Sequence, residues 1–113
     1  MTKAQILIVE DQELIARQIQ ERLKTLGYHV LETVASGEEA IALVPQLKPN
    51  LVLIDIQLKG SMDGIQAAEQ LRARSIPVVF LTAHSDAATL ERAIFRSAHS
   101  SKRVNSHEYQ ADS

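Results

Sequence analysis

The chain contains no cysteine, no tryptophan and no long uninterrupted apolar segment. The absence of cysteine excludes disulfide bonds and thiol chemistry. No apolar run approaches the roughly 20 residues that a transmembrane helix requires. The first residues lead directly into a predicted strand, so we expect no signal peptide. Together these absences predict a soluble cytoplasmic protein with no membrane contact.

A large excess of charge of either sign is also missing, since 12 basic and 14 acidic residues give a net charge of −2. This balance gives no electrostatic reason to expect nucleic acid or an anionic membrane as a partner. What the chain does contain is an ordinary hydrophobic fraction of 45%, of which little is aromatic, so the core is expected to be aliphatic. A length of 113 residues provides for a single domain.

Short apolar runs alternate with segments of helical periodicity along most of the chain. The runs predict strands at 5–9, 28–34, 51–55 and 78–81, and the periodic segments predict helices at about 12–26 and from residues 36, 65 and 85. This alternation with short connections predicts an α/β fold: an open parallel sheet covered by helices on both faces.

Glycine, serine and proline mark the ends of several predicted elements. Gly27 stops the first helix, and Ser36 with Glu39 three residues later predicts a capping box at the start of the second. Pro45 lies inside the periodic pattern of that helix and predicts a frayed or kinked last turn. Pro77 opens the fourth strand, where a missing amide is tolerated.

Acidic residues follow two of the predicted buried strands. Glu10 and Asp11 come directly after the first strand, and Asp55 ends the third. The carboxyl ends of parallel strands meet at one rim of an open sheet, where ligands bind. Three carboxylates crowded there repel one another unless a cation or a proton intervenes, so the pattern predicts a metal site.

A simpler interpretation stays open for part of this set. Glu10 and Asp11 suit the beginning of a helix equally well, because acidic side chains are favourable near a helix N-terminus. Asp55 resists that interpretation, because a carboxylate that ends an apolar buried strand loses hydration unless a charged partner meets it.

Four motifs in this order resemble the response-regulator receiver domain of two-component signalling. They are Ile-Val-Glu-Asp at 8–11, Leu-Val-Leu-Ile-Asp at 51–55, Met-Asp-Gly at 62–64 and Leu-Thr-Ala at 81–83. Each motif is weak alone, and the ordered set is specific. The resemblance covers roughly residues 4–95, so residues 1–95 are interpreted as the receiver core. It implies a flavodoxin-like sheet of strand order 2-1-3-4-5.

The resemblance also implies a role for each site residue. Asp55 is the phosphoacceptor, taking a phosphoryl group from a phosphohistidine on a histidine kinase or phosphotransfer protein. Mg²⁺ is bound directly by Asp11, through water by Glu10, by Asp55 and by the backbone carbonyl of Gln57. Thr82 donates a hydrogen bond to the phosphoryl group. A protein of this kind catalyses its own phosphorylation and dephosphorylation and is not a turnover enzyme.

Residues 96–113 depart from the family pattern, because they are rich in serine and contain no aliphatic run. The fifth strand and fifth helix are therefore expected to be divergent or incomplete. Lys102 matches the family's phosphate-pairing lysine, although Arg103 follows it where proline is usual. His99 falls at the usual aromatic switch position. Without a fifth strand, the fourth has an exposed edge, which predicts a homodimer through that edge or through helix 4, the helix predicted from residue 85.

Two other functions stay open at this level. A pseudo-receiver would keep the site residues but act as a protein-interaction module that phosphorylation does not switch. A Mg²⁺-dependent phosphohydrolase would also use an aspartyl-phosphate, but such enzymes typically carry a second aspartate two residues after the nucleophile, where this chain has Gln57.

Overall fold

The structure is a computed structural model that describes residues 4–58, 60–81 and residue 92. Strands and helices alternate through these residues in the order β1 Gln5–Val9, α1 Glu13–Thr25, β2 His29–Val34, α2 Gly37–Leu47, β3 Leu51–Asp55, α3 Gly64–Ala73 and β4 Val78–Leu81. No helix among the described residues combines the length and the apolar character needed to cross a bilayer.

The four strands form one parallel sheet in the order β2-β1-β3-β4. This is the predicted flavodoxin-like order through its first four strands, so the predicted fold class is confirmed. The predicted fifth strand lies outside the described residues. β1 and β3 are neighbours although a whole strand separates them in sequence, and their carboxyl ends therefore lie side by side.

The uniformly apolar runs of β1 and β3 are explained by cores on both faces of the sheet. Ile6, Ile8 and Leu53 point to the side that packs against α1, together with Leu23. The intervening residues of the same strands point to the side covered by α2 and α3; these are Leu7, Val9, Val52 and Ile54. Because successive side chains of a strand alternate in direction, burial on both faces requires an apolar residue at every position.

The edge strand β2 contains a β-bulge that could not be predicted from its sequence. Val30 is paired with Ile6 and Glu32 with Leu7, so the ladder skips Leu31. Val30 consequently packs on the α1 side of the sheet, whereas Val34 packs on the opposite side. In a regular strand, residues four apart share a face, so the bulge is what allows β2 to contribute to both cores.

The predicted cap of α2 forms with one change of partner. The Ser36 hydroxyl accepts a hydrogen bond from the Glu39 amide at 3.2 Å. The Glu39 carboxylate reaches back to the amide of Ala35 at 3.1 Å rather than to that of Ser36. The reciprocal bond of the capping box is thus displaced by one residue, and α2 still begins next to Ser36 as predicted.

α2 continues through Pro45 and ends at Leu47, with Lys48 in the left-handed region at φ 50°. A proline inside a helix has no amide for the carbonyl four residues earlier, which here is that of Ile41. That carbonyl accepts a hydrogen bond from Nη1 of Arg74, beyond the end of α3, at 3.4 Å. The acceptor that Pro45 leaves unused is therefore partnered from the neighbouring helix region.

Several predictions concern residues outside the described ranges. These are the helix predicted from residue 85, the roles of Thr82, His99 and Lys102, and the divergence of residues 96–113. The predicted homodimer through helix 4 or the edge of strand 4 depends on the same part of the chain and stays a prediction.

Candidate functional site

The register between β1 and β3 places the acidic residues together. Val9 is paired with Ile54, so the next residues of the two strands, Glu10 and Asp55, emerge side by side. The ladders extend past the strand ends on both sides. The Glu10 amide donates to the carbonyl of Val34 at 2.9 Å, and the Ile56 amide donates to that of Leu81 at 3.1 Å. Both acidic residues are thus held by backbone that is continuous with the sheet.

Asp11 completes a cluster of three carboxylates at this rim. One carboxylate oxygen from each of Glu10, Asp11 and Asp55 lies within 4.8 Å of the others. The Glu10 side chain is buried, whereas Asp11 and Asp55 are partly exposed. The structure therefore brings together the three acidic residues that the sequence singled out, and it leaves Asp55 accessible from solvent.

Backbone amides orient two of the three carboxylates. Oε2 of Glu10 accepts a hydrogen bond from the Gln12 amide at 3.0 Å. Oδ1 of Asp55 accepts one from the Gln57 amide at 2.9 Å. The backbone of Gln57, predicted as a metal ligand through its carbonyl, is thus adjacent to the phosphoacceptor candidate, although here its amide rather than its carbonyl makes the contact.

Burial raises the pKa of Glu10 from 4.5 to about 7. The hydrogen bond from the Gln12 amide opposes this shift, while the charge of Asp55 and hydrogen bonds to Asp11 and Asp55 add to it. Near neutral pH, Glu10 therefore retains a proton for part of the time, mainly because burial removes hydration from its carboxylate and to a lesser extent because Asp55 is close.

The donor set fits a small divalent cation. Carboxylate oxygens are the ligands that Mg²⁺ prefers, and a cation between them would stabilise the buried Glu10 carboxylate and offset the repulsion among the three side chains. The cluster offers oxygen donors only, which favours Mg²⁺ over metals that require nitrogen or sulfur ligands. The helix-start alternative for Glu10 and Asp11 is compatible with the same geometry, because both residues lie just before Gln12, the N-cap position of α1.

A groove of about 430 Å³ opens beside the carboxylates. It runs between the first turns of α1 and the end of β2, and Glu10, Asp11, Arg17 and Ala35 are among the residues that line it. The groove therefore opens the cluster to solvent at Glu10 and Asp11, on the α1 side of the rim.

Gly64 is a site-supporting residue that the sequence interpretation missed. The preceding residue, Asp63, caps α3 through a capping box with Gln66, with bonds of 2.8 and 3.0 Å. A Cβ on Gly64 would overlap the Asp55 carbonyl oxygen and lie 3.0 Å from the Cα of Ile56. One signal was available: glycine disfavours a helix, so its presence in a first turn indicates close backbone approach.

A family model confirms the resemblance drawn from the motifs. The model of the response regulator receiver domain matches residues 6–108. The chain therefore belongs to the response-regulator receiver family. The match extends beyond residue 95 into the segment where the aliphatic pattern is weak.

Known proteins with similar sequences are regulators. The chain is 45% identical over 85 residues to the positive alginate biosynthesis regulatory protein of Pseudomonas aeruginosa, covering 72% of this chain and 34% of that protein. It is 38% identical over 89 residues to the transcriptional regulatory protein PdtaR of Mycobacterium tuberculosis, covering 78% of this chain and 43% of that one. The chain thus spans between a third and a half of the length of these two curated relatives.

Solved structures show the same fold. The receiver domain of the PhyR response regulator from Erythrobacter litoralis superposes with a TM-score of 0.79 at 28% identity, over 92% of this chain and 98% of that one. The receiver domain of a modulated diguanylate cyclase from Desulfovibrio desulfuricans G20 gives a TM-score of 0.69 at 31% identity, over 98% and 99% of the two chains.

Proposed function

We propose that this chain is a phosphoacceptor receiver of a two-component phosphorelay, in which Asp55 accepts a phosphoryl group in the presence of Mg²⁺. The observation that carries the proposal is the cluster of Glu10, Asp11 and Asp55, whose carboxylate oxygens lie within 4.8 Å of one another. Membership of the receiver family supports it. The partial exposure of Asp55 leaves the side chain open to a donor.

In this proposal, Glu10, Asp11 and Asp55 hold Mg²⁺, with the backbone carbonyl of Gln57 as a further ligand. A bound divalent cation supplies positive charge that offsets the repulsion between a carboxylate and a phosphoryl group. The Gln57 amide holds one oxygen of Asp55 at 2.9 Å, which leaves the other oxygen as the nucleophile. Thr82 is proposed to donate a hydrogen bond to the transferred group, and Lys102 to pair with it.

The transfer is a displacement at phosphorus. A carboxylate oxygen of Asp55 forms a bond to phosphorus as the P–N bond of a phosphohistidine breaks, and the electron pair of that bond leaves with the imidazole. The phosphohistidine belongs to a histidine kinase or a phosphotransfer protein. Hydrolysis of the resulting acyl phosphate returns Asp55, so the chain is a switch rather than a turnover enzyme. We place this exchange in the cytoplasm, without contact between this domain and nucleic acid or a membrane.

Incubation with Mg²⁺ and acetyl phosphate, followed by intact-mass measurement, tests the proposal. The unmodified chain is expected to gain the mass of one phosphoryl group, and EDTA should prevent the gain. Asp55→Asn should abolish it, whereas Asp63→Asn, which changes an exposed aspartate of the α3 cap, should leave it intact. The absence of a mass increase in the unmodified chain contradicts the proposal.

A pseudo-receiver is the second candidate. It is favoured by the similarity to PhyR from Bartonella quintana, a protein described as an anti-anti-sigma factor, with 28% identity and a TM-score of 0.73. A pseudo-receiver would keep the acidic cluster without responding to phosphorylation. Addition of beryllofluoride with Mg²⁺ separates the two, since a switched receiver should show changed amide resonances remote from Asp55 and a pseudo-receiver should not. Sedimentation of the same samples tests the predicted homodimer.

A further inference from the structure

The backbone beside the acidic cluster belongs to the β3–α3 loop, of which residues 56–58 and 60–63 are described. Gly60, in the middle of this loop, has φ of +112° and no atom of another segment within 4 Å of the position of a Cβ. Among the described residues, none lies close to the Cβ position of Gly60. The position of the loop depends on contacts that its two ends make with the rest of the molecule.

At one end, the loop is anchored to the acidic site itself. The Gln57 amide donates to Oδ1 of Asp55 at 2.9 Å, and Leu58 is buried in the core on the α2 and α3 side. Any shift of the loop at this end would therefore change the surroundings of the Asp55 carboxylate.

At the other end, the loop is anchored to the first turn of α2. The Ser61 hydroxyl donates a hydrogen bond to the Glu38 carboxylate at 2.5 Å, across 23 residues of sequence. Gly37 precedes Glu38, and a Cβ on it would lie 3.2 Å from Sδ of Met62, so the helix start and the loop are in close contact. The Ser61 hydrogen bond also lowers the pKa of the exposed Glu38 carboxyl, as expected when a donor stabilises an ionised acceptor.

We propose that Glu38 and Ser61 are positioning residues for the acidic site: their hydrogen bond holds the β3–α3 loop against α2 and thereby keeps the Gln57 backbone beside Asp55. The inference rests on the proposed function, because its measured consequence is the affinity of the carboxylate cluster for Mg²⁺. When the bond is removed, the loop spends part of its time in other conformations. A ligand that binds one conformation then shows an affinity reduced by the population of that conformation.

The test is a Mg²⁺ titration followed by the amide resonances of residues 10, 11 and 57 in NMR spectra. Ser61→Ala should raise the apparent dissociation constant of Mg²⁺ about two- to fivefold, as expected for loss of one exposed hydrogen bond to a charged group. Ser61→Thr keeps the hydroxyl and should restore the original value. Thr25→Ala is the matched control, because it removes an exposed hydroxyl that bonds only within α1, to the Glu21 carbonyl.

A double-mutant cycle shows whether the two residues act through their shared bond. Glu38→Ala should weaken Mg²⁺ binding as much as Ser61→Ala does, and the double variant should be no weaker than either single variant. Without Mg²⁺, the Gln57 amide resonance should shift in both single variants and stay in place in Thr25→Ala. This second readout does not depend on the metal.

The outcomes separate the inference from the function on which it rests. If the unmodified chain binds Mg²⁺ and takes up phosphate while Ser61→Ala binds Mg²⁺ with unchanged affinity, the positioning role is wrong and the proposed function stands. Additive losses in the double variant also contradict the positioning role. If the unmodified chain shows no Mg²⁺ binding and no phosphorylation, both proposals are wrong.

Discussion

The backbone of Gly64 lies directly against the carbonyl of Asp55, so that a methyl group on Gly64 would overlap the carbonyl oxygen and approach the Cα of Ile56 to 3.0 Å. The residue that begins α3 therefore determines how closely that helix approaches the end of β3. The backbone of Asp55, the phosphoacceptor candidate, packs against the backbone at the start of α3. Backbone in a packed core cannot move aside as a flexible side chain would.

Gly64→Ala should consequently destabilise the fold. We expect the free energy of unfolding in urea to fall by about 2 kcal/mol or more, the range typical of forced overpacking. Gly60→Ala is the matched control: Gly60 has φ of +112° but open space around the Cβ position, so only backbone strain of about 1 kcal/mol is expected. If the free energy of unfolding falls equally in the two variants, the close approach at Gly64 does not contribute to the destabilisation.

The pKa of Glu10 predicts a pH dependence of stability. Burial raises that pKa from 4.5 to about 7, so between these values the folded chain binds more protons than the unfolded chain. The free energy of unfolding should therefore fall as pH rises from 4.5 towards 7, and the loss should be on the order of 2 to 3 kcal/mol. Urea unfolding in EDTA at pH 5 and pH 8 measures the difference.

Glu10→Gln isolates this contribution, because the amide does not titrate and the histidines of the chain are unchanged. The variant should lose most of the difference between pH 5 and pH 8 and should be the more stable protein at pH 8 without metal. If the difference in free energy of unfolding between pH 5 and pH 8 is unchanged in Glu10→Gln, it originates from other groups in the chain.

Much of the architecture was predictable from the sequence, because a strand that is buried on both faces of a parallel sheet has an apolar residue at every position. The runs at 6–9 and 51–54 are apolar at every position, and the acidic residues that follow them interrupt the pattern abruptly. Parallel topology then brings the ends of the two strands together. The meeting of Glu10 with Asp55 therefore follows from local pattern and a general rule of topology.

Other features depend on how distant segments approach, and local pattern carries little information on that. The bulge at Leu31 alters the face on which part of β2 packs, and the partly alternating sequence of this strand does not give its position. The bond from Arg74 to the Ile41 carbonyl joins two helix regions whose spacing only the fold defines. For Gly64, nothing in the neighbouring sequence identifies the Asp55 carbonyl as its contact.

Magnesium should stabilise the chain through the acidic cluster. At a Mg²⁺ concentration one hundred times the dissociation constant, the free energy of unfolding should rise by about 2.7 kcal/mol. Asp11→Asn should differ from the unmodified chain in two ways. Without metal, its free energy of unfolding should be about 1 kcal/mol higher, because one repulsive charge is removed. Addition of Mg²⁺ should then raise the free energy of unfolding of this variant only slightly. Glu13→Gln changes an exposed acid beside the cluster and should behave as the unmodified chain. A stabilisation by Mg²⁺ that survives in Asp11→Asn would contradict the assigned ligand set.

Two large apolar side chains are exposed beside the site, at the start of α1. Leu14 is 68% exposed and Ile15 is 37% exposed, and both follow the residue that caps this helix. Under the proposed function, this turn of α1 is a candidate contact surface for a protein phosphodonor. We therefore expect the phosphodonor protein to cover this turn of α1 when it transfers its phosphoryl group to Asp55.

Leu14→Ser should slow phosphotransfer from a cognate histidine kinase or phosphotransfer protein about tenfold, the effect of losing a moderate interface anchor. Phosphorylation by acetyl phosphate should proceed at the original rate, because a small donor makes no use of the surface. Ile65→Ser is the control, since Ile65 is 48% exposed but belongs to α3. Time courses of both reactions provide the measurement. If Leu14→Ser slows phosphorylation by both donors equally, the side chain supports the acidic cluster and is not a docking contact. If Ile65→Ser slows phosphotransfer from the protein donor as much as Leu14→Ser does, the docking surface is not confined to α1.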